Sequence, residues 1–164
     1  MVVALTLILS LAAAPAPGAP AGRPQEPVMV KEIVVPGNAG WVDTGIDVEE
    51  DEKFLFRGAG EISLQKGNPE AACGPEGADI QGLQQPLPDR NMGALAGKVS
   101  RVMAVRTDEK TKEEIRDELI RYFYIGRELV AAMPIQGRLF VGVNENVVRD
   151  NGGEFRVAIY KIPS

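Results

Sequence analysis

Short hydrophobic runs recur along this chain, and in its second half they alternate regularly with polar positions. The clearest alternation covers Arg138–Val143 and Glu154–Ile162. A period of two residues is typical of a strand with one buried face, because successive side chains of a strand point to opposite sides. The apolar positions that share a face are Leu139, Val141 and Val143 in the first segment and Phe155, Val157 and Ile159 in the second. We therefore interpret both segments as strands.

Shorter apolar segments precede these two, and turn residues separate them. The candidate strands are Val28–Val35, Trp41–Val48, Lys53–Arg57, Glu61–Leu64, Ala94–Val105 and Tyr122–Ile125. Several short strands with turn signals between them predict an all-β fold, an antiparallel β-sandwich or small jelly roll. The residues that we expect to be mostly buried in its core are Trp41, Phe56, Leu95, Leu139, Val141, Phe155, Val157 and Ile159.

Two segments depart from the strand pattern. In Thr107–Leu119 and just beyond, Ile115, Leu119 and Phe123 recur at helical spacing with charged residues between them, and a Thr-Asp pair at the start can cap a helix. This pattern predicts one short helix inserted between strands. Gly67–Arg90 holds several Gly and Pro residues and is typical of a long loop, which in a compact domain is usually functional or mobile.

The amino-terminal end has the order of parts found in a secretory signal peptide. Met1–Ala14 is an uncharged apolar run, too short to cross a bilayer, and a stretch rich in Pro, Ala and Gly follows it. Cleavage after Ala14 or after Ala21 would fit, and a disordered apolar tail is the alternative. We expect a secreted or periplasmic protein. The predicted divisions are residues 1–22 for the signal peptide and the start of a linker, 23–29 for the rest of the linker, and 30–164 for one domain.

The composition excludes several classes of function. The net charge of −5 comes without any Lys- and Arg-rich stretch, which argues against nucleic acid as a partner. The chain has no histidine, so Ser-His-Asp and Cys-His catalysis and nearly all zinc sites are excluded. Cys73 is the only cysteine, so no intramolecular disulfide can form, and we interpret it as a small buried apolar residue. A divalent ion here would have to be oxygen-bound, which means calcium or magnesium.

One segment concentrates oxygen donors. Asn144–Gly153 carries the carboxylates of Glu145 and Asp150 and three Asn amides, and two Gly residues close it. Calcium takes six to eight oxygens from carboxylates, amides and backbone carbonyls. An Asp-Asn-Gly-Gly sequence is also an ordinary hairpin turn, and local chemistry alone leaves the two interpretations even. The four acids at 49–52 predict only a solvated turn, because adjacent residues point in different directions.

Several segments taken in order resemble a known family. They are Trp41–Gly45, Arg57–Ser63, Gly74–Gly77, Gln81–Leu83, Gly93–Leu95, Asn144–Glu145 and Asp150–Phe155. Together they are similar to the calcium-dependent galactophilic bacterial lectins (LecA-like) over Val30–Ile162. This resemblance implies a galactose-binding-domain-like jelly roll in which one calcium ion lies at a sheet end and the hydroxyls of a sugar complete its coordination.

The resemblance also implies a set of site residues. Glu145, Asp150 and Asn151 would bind calcium through their side chains, and Leu64 and Val147 through backbone carbonyls. The sugar would contact Gln81, Asp150 and Asn151. Glu145 stands where the family has Asp, Asp150 stands where Asn is usual, and the family's sugar-contacting His has no counterpart at Ala78 or its neighbours. Calcium is therefore better supported than galactose.

The sequence thus predicts a secreted calcium-dependent carbohydrate-binding module that is not an enzyme. A galactose-type sugar is the ligand that the resemblance implies, and a homo-oligomer is an open option because multivalency raises the modest affinity of one site. The first alternative is a structural or protein-interaction β-sandwich of the cell envelope. A glycosidase ranks last, because no spacing singles out a pair of carboxylates.

Overall fold

A computed structural model describes residues 26–163 of the chain. The predicted signal peptide and the linker up to residue 25 lie outside these residues. The first strand begins at Val28, two residues before the predicted start of the domain. The described part of the chain contains no helix with the length and hydrophobicity that a membrane crossing needs.

Nine strands form within the described residues. They are β1 (Val28–Pro36), β2 (Val42–Val48), β3 (Lys53–Ser63), β4 (Ala72–Cys73), β5 (Leu95–Thr107), β6 (Glu114–Tyr124), β7 (Glu128–Ala132), β8 (Gly137–Val143) and β9 (Gly152–Lys161). A single 3₁₀ turn, Pro69–Ala71, begins where the Asn68 side chain accepts a hydrogen bond from the Glu70 amide. The two strands with the clearest alternation, β8 and β9, lie close to the bounds that their sequence predicts.

The strands form two antiparallel sheets. One has the order β1-β9-β3-β4, with β7 also pairing with β3, and the other has the order β2-β8-β5-β6. Both sheets contribute to one hydrophobic core, with Phe155 and Ile159 from β9 and Leu139 and Val141 from β8 fully buried. The predicted all-β antiparallel sandwich is confirmed.

Seven of the eight predicted core residues are buried, and Trp41 is the exception. Trp41 is half-buried, and its ring lies 5.3 Å from the ring of Tyr122, centroid to centroid. The sequence gives no way to separate the two faces of β2, because apolar and polar positions alternate only loosely there. Trp41 therefore belongs to a surface cluster rather than to the core.

The predicted inserted helix is wrong. The segment forms the end of β5, a turn and then β6, which pairs with β5 from Thr107↔Glu114 to Ala96↔Tyr124. A spacing of four residues, as between Ile115 and Leu119, places side chains on one face of a strand as well as of a helix. Asp108, interpreted as a helix cap, instead accepts hydrogen bonds from the amides of Lys110 and Thr111 and closes the hairpin turn. β5 offers a row of backbone partners, whereas a short exposed helix has little to stabilise it.

The prediction that Cys73 is a small buried residue is confirmed, since it is 7% exposed and lies in β4. Burial raises the pKa of its thiol to about 11, and the thiolate is the reactive form. We expect Ellman's reagent at mildly alkaline pH to leave Cys73 unmodified in the native chain and to modify it after denaturation. Rapid modification of the native protein would contradict this placement.

Candidate metal and saccharide site

The oxygen-rich segment connects β8 to β9 at one end of the sandwich. Gly152, the first residue of β9, pairs with Ser63, the last residue of β3, so the ends of both strands meet here. The amide of Lys66 donates to the carbonyl of Asp150 at 2.7 Å, which ties the segment after β3 to this loop. We call residues 144–151 the donor loop.

Asn144 fixes the base of the donor loop rather than lining a site. It is fully buried, and its Oδ1 accepts a hydrogen bond from the Leu87 amide at 2.8 Å. Its Nδ2 donates to the carbonyls of Leu87 and Asn91 at 3.0 and 3.1 Å. These three bonds hold the long loop before β5 against the donor loop. Asn144 is one of the oxygen donors noted in the sequence, but its side chain joins the two loops and is not available to an ion.

Three predicted calcium ligands come together. The Nδ2 of Asn151 donates to Oε2 of Glu145 at 2.7 Å and to the carbonyl of Gly37 at 3.2 Å. Asp150 precedes Asn151 and is exposed. Burial raises the pKa of the Glu145 carboxyl, the Asn151 hydrogen bond opposes this, and the nearby charge of Asp150 raises it further. Two carboxylates and an amide therefore occupy one small region.

Asn151 leaves one polar atom without a partner. Its side chain is 2% exposed, and its Oδ1 is buried with no hydrogen-bond partner among the described residues. A buried acceptor left unpaired costs about 1–3 kcal/mol. This orphaned oxygen fits a cation or a donor that would pair with it.

The two predicted backbone ligands, Leu64 and Val147, differ in their burial. Leu64 directly follows Ser63, so it lies beside the start of β9, and its side chain packs against the core. Val147 is 60% exposed near the tip of the donor loop. Only their carbonyls could serve an ion, as the resemblance implies. No three Asp, Glu, Cys or His side chains cluster anywhere in residues 26–163. An ion at the donor loop would therefore depend on amide and carbonyl oxygens besides Glu145 and Asp150, which is a donor set that calcium accepts.

A cavity of about 230 Å³ adjoins Glu145. Its lining residues are Gly82, Gln84, Gln85, Met92, Glu145, Asn146 and Val147. Gln85 is 7% exposed, and its Nε2 donates to the carbonyls of Leu87 and Arg90. Its Oε1 is buried and has no hydrogen-bond partner among residues 26–163. The cavity thus brings a second unpaired acceptor close to the donor loop, and nothing in the sequence around Gln85 marks it.

Gln81, the predicted sugar contact, does not line the cavity beside Glu145. It is exposed and lines a separate cavity of about 230 Å³ together with Glu76, Asp89, Arg90, Asn91 and Tyr124. In that cavity the guanidinium of Arg90 lies over the ring of Tyr124 at 5.3 Å. The structure therefore brings Glu145, Asp150 and Asn151 together and places Gln81 apart from them.

Comparison with solved structures finds a likeness in fold. A solved structure described as "EclA N-terminal domain; PllA-like lectin" superposes with a TM-score of 0.54 at 19% sequence identity, and the match covers 81% of this chain and 97% of that one. In fold, this chain resembles that lectin domain. No protein-family model matches the sequence, and no curated protein matches it either. At this identity the likeness establishes the sandwich fold and leaves the ligand to be argued from the site.

Proposed function

We propose that this chain is a calcium-dependent carbohydrate-binding module whose site is the donor loop. The observation that carries the proposal is the proximity of Glu145, Asp150 and the Oδ1 of Asn151, which has no partner among residues 26–163. Of these three residues, Glu145 also lines a small cavity. The lectin-like fold supports the carbohydrate part of the proposal. The order of segments that resembles galactophilic lectins supports calcium.

Glu145, Asp150 and Asn151 would bind the ion through their side chains. The backbone carbonyls of Leu64 and Val147 would be the other protein ligands. When bound, calcium offers coordination positions that two neighbouring sugar hydroxyls can fill in place of water. The repulsion between Glu145 and Asp150 favours a cation between them, and Asp150 adds a charge where the family usually has a neutral Asn. The Asn144 side chain holds the donor loop against the loop before β5. Calcium binding would replace the hydrogen bond that Nδ2 of Asn151 donates to Glu145.

The cavity beside Glu145 suits one sugar ring. At about 230 Å³ it is smaller than the ~300–1,000 Å³ of pockets that take drug-sized ligands. A sugar hydroxyl would donate to Oε1 of Gln85, for which residues 26–163 provide no hydrogen-bond donor. A galactose-type sugar is the candidate that the resemblance supplies. We propose no catalytic turnover for this site, because a lectin-type site binds the sugar without a positioned acid and nucleophile.

A glycan array tests this function. The full chain is applied in millimolar calcium and again in excess chelator, and we expect galactose-type glycans to be retained only with calcium. Equal retention in both conditions would contradict a calcium-dependent site, and cleavage of any arrayed glycan would contradict a purely binding role. Export to the periplasm or the medium stays a prediction, since it depends on residues 1–25.

The family resemblance and the geometry of the cavity predict different sugar contacts. The resemblance implies Gln81, whereas the cavity beside Glu145 implies Gln85. We expect Gln85→Met to weaken calcium-dependent sugar binding about tenfold, which corresponds to ~1.4 kcal/mol. Gln81→Met should leave it unchanged, because Gln81 lines the other cavity. Isothermal titration calorimetry of each variant with the best glycan from the array measures both affinities.

If Gln81→Met weakens sugar binding and Gln85→Met does not, the sugar binds where the resemblance implies and not in the cavity beside Glu145. The stabilisation by calcium should survive in both variants, because neither glutamine is a proposed calcium ligand. That measurement separates a lost sugar contact from a collapsed loop.

A further inference from the structure

The second sheet carries an aromatic cluster on the face that points away from the core. On β5, Gly97 and Val99 face inward, since Val99 is fully buried and a Cβ on Gly97 would overlap the ring of Phe123, which packs on the core. Lys98 lies between them and therefore faces outward. Its register partners on the neighbouring strands are Phe140 on β8 and Tyr122 on β6.

Trp41 completes this cluster. It immediately precedes β2, and its ring covers Gly142, where an added Cβ would come within 2.8 Å of the indole. The rings of Trp41 and Tyr122 are 5.3 Å apart and inclined by 33°. The ammonium of Lys98 lies 4.5 Å from the centre of the Phe140 ring and 5.3 Å from that of Trp41. We call Trp41, Lys98, Tyr122 and Phe140 the aromatic platform.

The platform does not contribute to the hydrophobic core. Trp41 and Phe140 are half-buried and Tyr122 is 39% exposed, so three rings present area to solvent on one sheet face. Trp41 is the only tryptophan of the chain. Aromatic rings that pair an apolar body with a polar tip are enriched where proteins bind other molecules.

Lys98 gives the platform a cation without an ion pair. It has no carboxylate partner within the salt-bridge distance among residues 26–163. Burial lowers the pKa of Lys98, and within the described part of the chain the charge of Glu118 opposes this effect. Oε2 of Glu118 already accepts a hydrogen bond from the Ser100 hydroxyl. Asp43, the register partner of Phe140, is held by Arg138 at 2.7 and 3.3 Å.

We propose that the aromatic platform is a second saccharide site, independent of calcium, that binds a sugar with a carboxylate, such as a uronic acid. The C–H face of the sugar ring would stack on Trp41 and Tyr122, because C–H groups with partial positive charge are attracted to the face of an aromatic ring as cations are. The carboxylate would pair with Lys98. This inference goes beyond the proposed function, since it needs no residue of the donor loop.

A second copy of the chain is a poorer occupant. A two-fold contact would place the same patch on both partners, so two Lys98-bearing platforms would meet and like charges would be buried together. An acidic sugar instead supplies the negative charge that Lys98 lacks and leaves the polar tips of Trp41 and Tyr122 in water.

The sole tryptophan makes the test direct. The full chain is titrated in excess chelator with a linear tetramer of galacturonic acid while the fluorescence of Trp41 is followed. We expect a saturable change in intensity or wavelength, and we expect the fully methyl-esterified tetramer, which keeps the rings and loses the charges, to bind at least tenfold more weakly. Chelation removes the proposed calcium site, so the two functions can fail separately.

Variants assign the binding to the platform. Lys98→Gln keeps the reporter and should raise Kd about tenfold, whereas Lys53→Gln, an exposed lysine on β3 of the other sheet, should leave Kd unchanged. Trp41→Ala, followed by calorimetry, should abolish binding.

Three results would overturn the proposal. The first is no fluorescence change at millimolar tetramer, and the second is equal affinity for the charged and esterified tetramers or for wild type and Lys98→Gln. The third is a wild-type dimer in sedimentation velocity that Trp41→Ala abolishes, which would assign the platform to a second copy.

Discussion

Calcium at millimolar concentration should raise the melting temperature of the wild-type chain by roughly 10 °C if its Kd is about a hundredfold lower than that concentration. An ion that binds only the folded state adds RT ln(1 + [L]/Kd), about 2.7 kcal/mol at that excess. The proposed physical source is the donor loop, where Glu145 and Asp150 repel each other and Oδ1 of Asn151 has no hydrogen-bond partner among residues 26–163. Scanning calorimetry or a thermal-shift assay with calcium and with chelator measures the difference.

Asp150→Ala should remove most of this stabilisation, because it deletes an exposed carboxylate that we propose as a calcium ligand. Glu50→Ala is the matched control, since it removes an exposed acid from the turn after β2 and should leave the calcium effect intact. Asp51 is a poorer control because its φ is 64°, a conformation that Asp tolerates better than Ala. If calcium leaves the melting temperature of the wild type unchanged, the donor loop is only a connection between β8 and β9 and not a calcium site.

Gly153→Ala should destabilise the chain by roughly 3 kcal/mol or more, because two separate effects act at this position. Its φ is 76°, which any residue with a Cβ adopts only at a cost. A Cβ there would also lie 2.4 Å from the carbonyl oxygen of Glu61 and 2.9 Å from the Cα of Ile62, and backbone atoms cannot move aside cheaply. Because Gly153 pairs with β3 just after the donor loop, the same substitution should also weaken calcium binding.

Two other glycines separate these effects. Gly45 has a φ of 78° and open space where a Cβ would lie, so Gly45→Ala should cost only about 1 kcal/mol. Gly40 has neither a positive φ nor a neighbour within 4 Å, and Gly40→Ala should be close to neutral. Chemical denaturation gives all three values, and equal costs at the three positions would contradict the packing of β9 against β3.

The sandwich could be predicted where one period dominates the sequence. Strands β8 and β9 place Leu139, Val141, Phe155, Val157 and Ile159 at every second position, and the core buries all five. The prediction failed at β6, where Ile115 and Leu119 are four residues apart and satisfy both periods. It failed at Trp41 because an apolar residue next to a strand can face the core or the solvent, and the register of the neighbouring strands decides which.

Some residues of the candidate site could likewise be predicted from the sequence, and others could not. Glu145, Asp150 and Asn151 lie within seven residues of one another, so their chemistry is visible in the sequence as a local concentration of oxygens. The roles of Gln85 and Asn144 depend on contacts between distant segments, such as the bond from the Leu87 amide to the Asn144 side chain across 57 residues. The aromatic platform likewise joins residues from four separate segments, and no spacing along the chain reveals it.

The most direct test of the central claim is equilibrium dialysis of the purified chain against radioactive calcium. We expect one ion bound per wild-type chain, none per Asp150→Ala chain and one per Glu50→Ala chain. Absence of bound calcium from the wild-type chain at millimolar concentration, or equal binding by wild type and Asp150→Ala, would contradict a calcium site at the donor loop.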